Sequence, residues 1–235
     1  DWEYIFNDDP ARQDLPLRRK QEERLYLIDA RPGVTDKGEL KFPTGAIQGQ
    51  KFSLVLRELT LPVSTITDFD KLPIPFRAIA TDIGDGSEVI IAKGDLATAM
   101  RASMAVPGAF AAVQQDNHLL VDGGLTNNLP VDVVRSMGAD IVIAVDISSP
   151  YMPADQVTDM FAITVQMTSI MTRTNADRQI ASLHQQDILI VPALGDIGSG
   201  DFDKTNDAVK IGYKSAVQVN KKLEALSLSE SAYND

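Results

Sequence analysis

One carboxylate is set apart from the others by its neighbours. It is Asp122, in the run His118-Leu119-Leu120-Val121-Asp122-Gly123-Gly124-Leu125-Thr126-Asn127-Asn128-Leu129-Pro130. Leu119 to Val121 form a short apolar run of the kind a buried strand uses. Gly123 and Gly124 then allow the backbone to turn where side chains would clash. Asp122 is therefore expected at the C-terminal edge of a sheet, where α/β folds usually bind ligands. Asn127 or Asn128 suits the cap of a following helix, Pro130 its first turn and Gly138 its stop.

The run does not stand alone. Arg101-Ala102-Ser103-Met104-Ala105-Val106-Pro107 precedes it, Asn128-Leu129-Pro130-Val131 closes it, and Met137-Gly138-Ala139-Asp140 leads into the apolar stretch Ile141 to Asp146. In this order the segments resemble the patatin-like phospholipases, whose Asp-Gly-Gly motif matches Asp122, Gly123 and Gly124. The resemblance runs from about Leu72 to about Ala216. The segment Phe42 to Leu56 is similar to bacterial members in particular.

The resemblance implies a three-layer α/β/α sandwich with a largely parallel central sheet. It also implies an esterase that cuts acyl esters of lipids with a serine and an aspartate and needs no cofactor. A serine hydroxyl is a weak nucleophile until a base takes its proton, and a carboxylate shielded from water can do so directly. By the resemblance Asp122 is that base, and Gly123 and Gly124 shape the turn that lets it approach the serine. The family's nucleophile sits in a Gly-x-Ser-x-Gly elbow, and its oxyanion donors come from a glycine-rich loop. Neither pattern occurs in the 235 residues. Gly45-Ala46-Ile47-Gln48-Gly49 has the glycine spacing with isoleucine at the centre, and Gly198-Ser199-Gly200 has the wrong spacing. The expectation is one patatin-like domain over 1–228 without its N-terminal elements, and a tail or linker start over 229–235. A patatin-fold binding or interaction module without activity is the alternative.

Other residues were weighed for chemistry. Ser103, ahead of the Val106-Pro107-Gly108 break, is a substitute nucleophile or, preferred here, a small residue that lets a helix pack closely. His118 and His184 are the only histidines. A triad needs one beside Asp122, and His118 belongs at the opposite end of the same strand. Asp146, at a second strand end, is expected to hydrogen-bond a neighbouring loop. Asp196 to Asp207 lacks the glycine and glutamate positions of a helix-loop-helix calcium site and reads as a solvated loop.

The net charge of −11 argues against nucleic acid and against purely electrostatic docking on anionic lipid, and Arg18-Arg19-Lys20 is the only basic cluster. The absence of cysteine excludes disulfides, thiolate catalysis and cysteine-bound zinc. No apolar run reaches the roughly 20 residues of a membrane helix. The partners implied are a phospholipid or other acyl ester, a membrane surface met transiently, and a second copy in a homodimer. The location stays open between secreted or outer-membrane-associated and cytoplasmic, in a bacterium.

The elements that must position Asp122 follow from periodicity. Helices are expected over Gln50 to Leu61, through Phe52, Val55, Leu56 and Leu59, and from an Asp95 cap to about Met104. Strands are expected over Ile74 to Ala80 and Val89 to Ala92, paired across the Gly84-Asp85-Gly86 turn. Gln114 to Asn117 reads as a polar turn. Ile141 to Val145 reads as a central strand covered on both faces. A helix over Asp155 to Arg173 carries an apolar stripe through Met160, Met167 and Met171, expected to be buried although a lipid-facing lid also fits. A second helix spans Ala176 to Gln186, then a strand Ile188 to Val191. Thr205 is expected to cap the last helix, whose Ala208, Ile211, Ser215, Val219, Leu223 and Leu226 share one face.

Overall fold

The structure, a computed structural model, describes residues 45–148, 150–198 and 200–228, with Ile5 and the stretches 33–34 and 40–41. The basic cluster at 18–20 and the tail at 229–235 lie outside the described residues. The chain divides into two compact units, Asp1–Gly123 and Gly124–Asp235. Among the described residues no helix is long and apolar enough to cross a membrane.

In the first unit, strands β1 (Gly33–Val34) and β2 (Leu40–Lys41) pair antiparallel. Strand β3 (Gly45–Ile47) then leads into helix α1 (Gln50–Thr60). The helix buries Phe52, Leu56 and Thr60, four residues apart, while Leu59 of the expected face is 70% exposed. Pro62 turns the chain into a short 3-10 turn. The next strand, β4, starts at Ala78 rather than Ile74 and runs to Asp82. Pro73 and Pro75 cannot donate to a ladder, and Ile74 between them is exposed. β4 pairs antiparallel with β5 (Glu88–Ile91) as the sequence predicts. Asp95 caps helix α2 (Leu96–Ser103) by accepting the Thr98 N–H at 2.8 Å.

Strand β6 (Gly108–Phe110) lies parallel to β3. The expected polar turn is a hairpin: β7 (Val113–Gln115) pairs with β8 (His118–Asp122). Only Asp116 and Asn117 turn, with φ of 47° and 70°. A two-residue hairpin requires that left-handed backbone, and Asp and Asn tolerate it best after glycine. The four-stranded sheet has the order β5-β4-β8-β7 and is antiparallel throughout. Parallel pairing occurs elsewhere, at β3 with β6 and in the second unit. Phe69, Ala78, Ala80, Ile91, Ala99, Ala102 and Leu120 form the main core between the sheet and α2. Burying a side chain the size of Phe69 or Leu120 contributes about 1.5–3 kcal/mol.

In the second unit, the short helices α3 (Gly124–Asn127) and α4 (Val131–Ser136) precede Gly138, whose φ of 97° ends the helical stretch as predicted. Strand β9 (Ile143–Val145) pairs parallel with β10 (Ile188–Ile190). The expectation that 141–145 is covered on both faces is not met. Val142 and Ala144 are buried, whereas Ile143 and Val145, which alternate onto the opposite face of the strand, are about half exposed.

The two helices expected between 155 and 186 are one, α5 (Met160–Ala181). The expected boundary between Arg173 and Ala176 lies inside it, with Asn175 and Ala176 buried. The methionine stripe is not buried: Met160, Met167 and Met171 are exposed. Leu129, Val131, Val142, Ala144 and Ala176 make the core of this unit. Thr205 sits inside the first turn of α6 (Thr205–Gln218), with Lys204 in the cap position, and α7 (Asn220–Glu224) follows after Val219.

Asp187 ties this unit together. Its side chain has no exposed surface and accepts from Val142 N at 2.9 Å, His184 N at 2.6 Å and the Arg135 guanidinium at 2.6 Å. Burial acts to raise its pKa, but the two amides and Arg135 outweigh burial and hold it at about 2. Because the folded value lies below the roughly 3.9 of an unfolded aspartate, the stabilisation is present above that pH and is lost as pH falls toward 2. Denaturant titrations from pH 7 to pH 2 are expected to show wild type losing its advantage over Asp187→Asn in that window. A pH-independent difference would contradict the assignment.

In the first unit, His118 Nδ1 lies 2.5 Å from Asp82 Oδ2, with the imidazole half exposed and the carboxylate nearly covered. The hydrogen bond to Asp82 raises the His118 pKa above its usual value. A raised folded value means that the stabilisation is complete below about pH 6.5 and disappears as pH rises through the folded pKa. Imidazole resonances followed by NMR are expected to titrate above 6.5 in wild type and to drop toward 6.5 in Asp82→Asn. Identical titrations would rule the pair out.

Candidate active site

The predicted position of Asp122 is borne out in its local geometry: it is the last residue of β8 and is half-buried. Two neighbours fix its backbone. Its N–H donates to the Ala105 carbonyl at 3.0 Å, and its own carbonyl accepts the Thr81 hydroxyl at 3.0 Å. The register that brings Thr81 there pairs Ala80 with Asp122, Thr81 with Val121 and Asp82 with Leu120. The strand thus ends on a carboxylate whose Cα is held from β4 on one side and from the α2 exit on the other.

Gly123 is required for space rather than for an unusual backbone angle. A Cβ there would run into the Ile79 carbonyl and would lie 2.9 Å from the Ile79 Cβ. Its N–H approaches the Ser103 carbonyl at 3.4 Å. Ser103, weighed in the sequence as a nucleophile, is the last residue of α2 and contributes that backbone carbonyl to the turn.

Gly124 opens α3 and is buried. Its carbonyl accepts the Asn175 side-chain N–H at 2.8 Å, and Asn175 Oδ1 accepts the Asn128 N–H at 2.7 Å. One buried amide thereby holds both ends of α3. Asn127, a predicted helix cap, instead donates through Nδ2 to Asp132 Oδ1 at 3.0 Å. Sequence reasoning missed Asn175. A signal was available, since asparagine is a poor helix former and its place in the middle of a helix implies a side-chain partner.

The histidines are not brought to Asp122 by their own elements. His118 is four residues away along β8, about 13 Å at strand rise, and is joined to Asp82. His184 gives its backbone N–H to Asp187. Asp146, just past β9, accepts from Ser148 N at 3.0 Å and from Arg173 at 2.9 Å. Burial works against its charge, yet the Ser148 and Arg173 contacts leave its pKa lowered. The loop-bonding role expected of Asp146 is what the structure shows. In the acidic loop, Asp201 accepts from Gly198 N and pairs with Lys204, both at 3.0 Å.

Comparisons with known proteins bear on the family of the chain. An uncharacterized NTE family protein of Mycobacterium tuberculosis is 36% identical over 104 residues, 44% of this chain and 28% of that protein. Patatin-like phospholipase domain-containing protein 7 of Rattus norvegicus is 45% identical over 148 residues, 62% of this chain and 10% of that protein. Its namesake protein 6 of Mus musculus is 42% identical over 142 residues, 59% of this chain and 10% of its own length. The matched stretches therefore span less than a third of each relative, and the relatives come from eukaryotes as well as bacteria. The family model for patatin-like phospholipases covers residues 7–135, more than half of the chain and the whole of β8 with its Asp-Gly-Gly turn. The chain, α/β in class, belongs to the patatin-like phospholipase family, whose fold is a three-layer α/β/α sandwich.

Proposed function

We propose that the protein is a lipid acyl hydrolase of the phospholipase A or lysophospholipase type, with Asp122 as general base and the serine supplied from outside these 235 residues. Both units, up to about residue 228, serve as one patatin-like domain. The observation that carries the reading is the fixed backbone of Asp122 at a strand end, followed by a glycine pressed on Ile79.

In the reaction the Asp122 carboxylate takes the serine Oγ proton as Oγ bonds to the ester carbonyl carbon. The carbonyl electron pair moves to oxygen, where backbone N–H groups hold it. Collapse breaks the bond to the alcohol, which leaves with the proton from Asp122 and forms the acyl-serine. Water, losing a proton to Asp122, then adds to the acyl-serine carbonyl, and breaking of the bond to Oγ releases the fatty acid as Asp122 returns the proton to the serine. A carboxylate needs no histidine for this if water is kept from it.

The substrate is a phospholipid or another acyl ester met at a membrane surface. The absence of a Gly-x-Ser-x-Gly elbow from the sequence favours one second reading, a patatin-fold binding module without turnover. A fluorophosphonate that labels activated serines separates the two: a single adduct on the complete protein supports the hydrolase, and no adduct supports the binding module.

Two substitutions test the base and its turn. Asp122→Asn is expected to lower turnover of a phospholipid or p-nitrophenyl ester by a factor of about 100 to 10,000 with an unchanged melting temperature. Retained activity would remove Asp122 from the mechanism. Gly123→Ala is expected to cost about 1–3 kcal/mol in denaturant titration, since the Ile79 backbone must shift to admit a methyl group. Wild-type stability would show that the close approach is not a constraint.

A further inference from the structure

Helix α6 of the second unit carries more apolar surface than its packing uses. Its covered face runs through Ala208, Ile211 and Ser215, which are half-buried, and one such stripe is what a surface helix needs. Val209, Tyr213 and Val217 form a second stripe, and they are 64%, 75% and 54% exposed. Residues four apart lie one above another on a helix, so the three make one continuous outer face. This face is outside the core of the unit.

Positive charge stands beside it. Lys210 and Lys214 each follow a residue of the stripe by one position, and Lys221 and Lys222 lie just beyond, in α7. All four are exposed, and from Ala208 to Leu223 the sequence has no acid. Asp207 and Glu224 close the stretch at its two ends. Asp207 pairs with Lys210 at 3.0 Å, with both side chains in solvent, where such a pair is weak, and Glu224 accepts from Asn220 at 2.6 Å. Even with both acids counted, α6 and α7 hold four lysines against two carboxylates, in a chain of net charge −11.

From this arrangement we infer that α6 is the docking face for an anionic lipid surface. The helix lies along the membrane with Val209, Tyr213 and Val217 among the headgroups and the lysine ammonium groups on lipid phosphates and carboxylates. Lysine stems lie along apolar surface while their charged ends stay in water, so the two stripes act together. Tyrosine, an apolar ring with a polar tip, suits the same depth. The docking is not by charge alone, which the acidic chain as a whole opposes. Repulsion of the remaining acidic surface turns α6 toward the lipid. The choice of lipid as the occupant rests on the proposed function, whose substrate is met at a membrane.

The test is co-sedimentation of the full chain, at physiological salt, with vesicles of phosphatidylcholine alone and of phosphatidylcholine mixed with phosphatidylserine. Binding to the mixed vesicles is expected. It should weaken about tenfold or more in two variants, one combining Val209→Ser, Tyr213→Ser and Val217→Ser, the other Lys214→Gln, Lys221→Gln and Lys222→Gln. All six residues are exposed, so circular dichroism and melting of both variants are expected to match wild type. Equal binding to the two kinds of vesicle, unchanged binding in either variant, or no binding overturns the inference. A dimer in solution that the apolar variant breaks, without vesicle binding, also overturns it and makes α6 an interface between copies. Vesicle binding decides the docking face, and hydrolysis of a soluble p-nitrophenyl ester by the complete protein decides the hydrolase reading, so the two fail separately.

Discussion

The contact on which the Asp122 turn depends is the close approach of Gly123 to the Ile79 peptide. Strand β8 lies beside β4 for three residue pairs, and directly after Asp122 the chain must pass over the Ile79 carbonyl with no room for a methyl group. The neighbouring hydrogen bonds follow from that passage. Thr81 reaches the Asp122 carbonyl, and Ala105 and Ser103, at the exit of α2, meet the N–H groups of Asp122 and Gly123. The motif's two glycines therefore do different jobs. Gly123 supplies clearance, while Gly124 begins a helical turn whose carbonyl is taken up by Asn175.

Features carried by adjacent residues were legible in the sequence. The Asp95 cap, the β4–β5 hairpin, the α1 helix and the strand ending at Asp122 each announce themselves within a few positions, through a capping side chain, a glycine turn or a short apolar run. The strand start at Ala78 was misplaced because Ile74 looks like a strand residue, and the prolines beside it leave it out of the ladder. The β7–β8 hairpin was half legible. Asp116 and Asn117 were read as a turn, but the two glutamines before them looked too polar for a strand, and β7 has one partner among the described strands.

What was not legible depends on residues far apart in the chain. Thr174 and Asn175 lower local helix propensity, and nothing nearby reveals that Asn175 will be buried against Gly124 and Asn128, some fifty positions away. That distant contact is made from the middle of α5. Strand direction was equally hidden. A helix between two apolar runs suggests a parallel crossover, yet β8 takes antiparallel partners on both sides, and the parallel partner of β9 is β10. The length of a connection fixes what is reachable, and side-chain packing selects among those partners.

Three other acids near strand ends are held by cations, hydroxyls or backbone amides. Asp82 is bound to His118 and the Gly84 N–H, Asp146 to Arg173 and Ser148, and Asp187 to Arg135 and two amides. In all three the net result is a lowered pKa. A carboxylate whose pKa is lowered by such partners is a poor proton acceptor at neutral pH, because the partners that stabilise its charge must be given up when the proton arrives. These three acids stabilise their own units by staying ionised, which is opposed to what a general base must do. The backbone of Asp122 is fixed through its N–H and carbonyl, to Ala105 and Thr81.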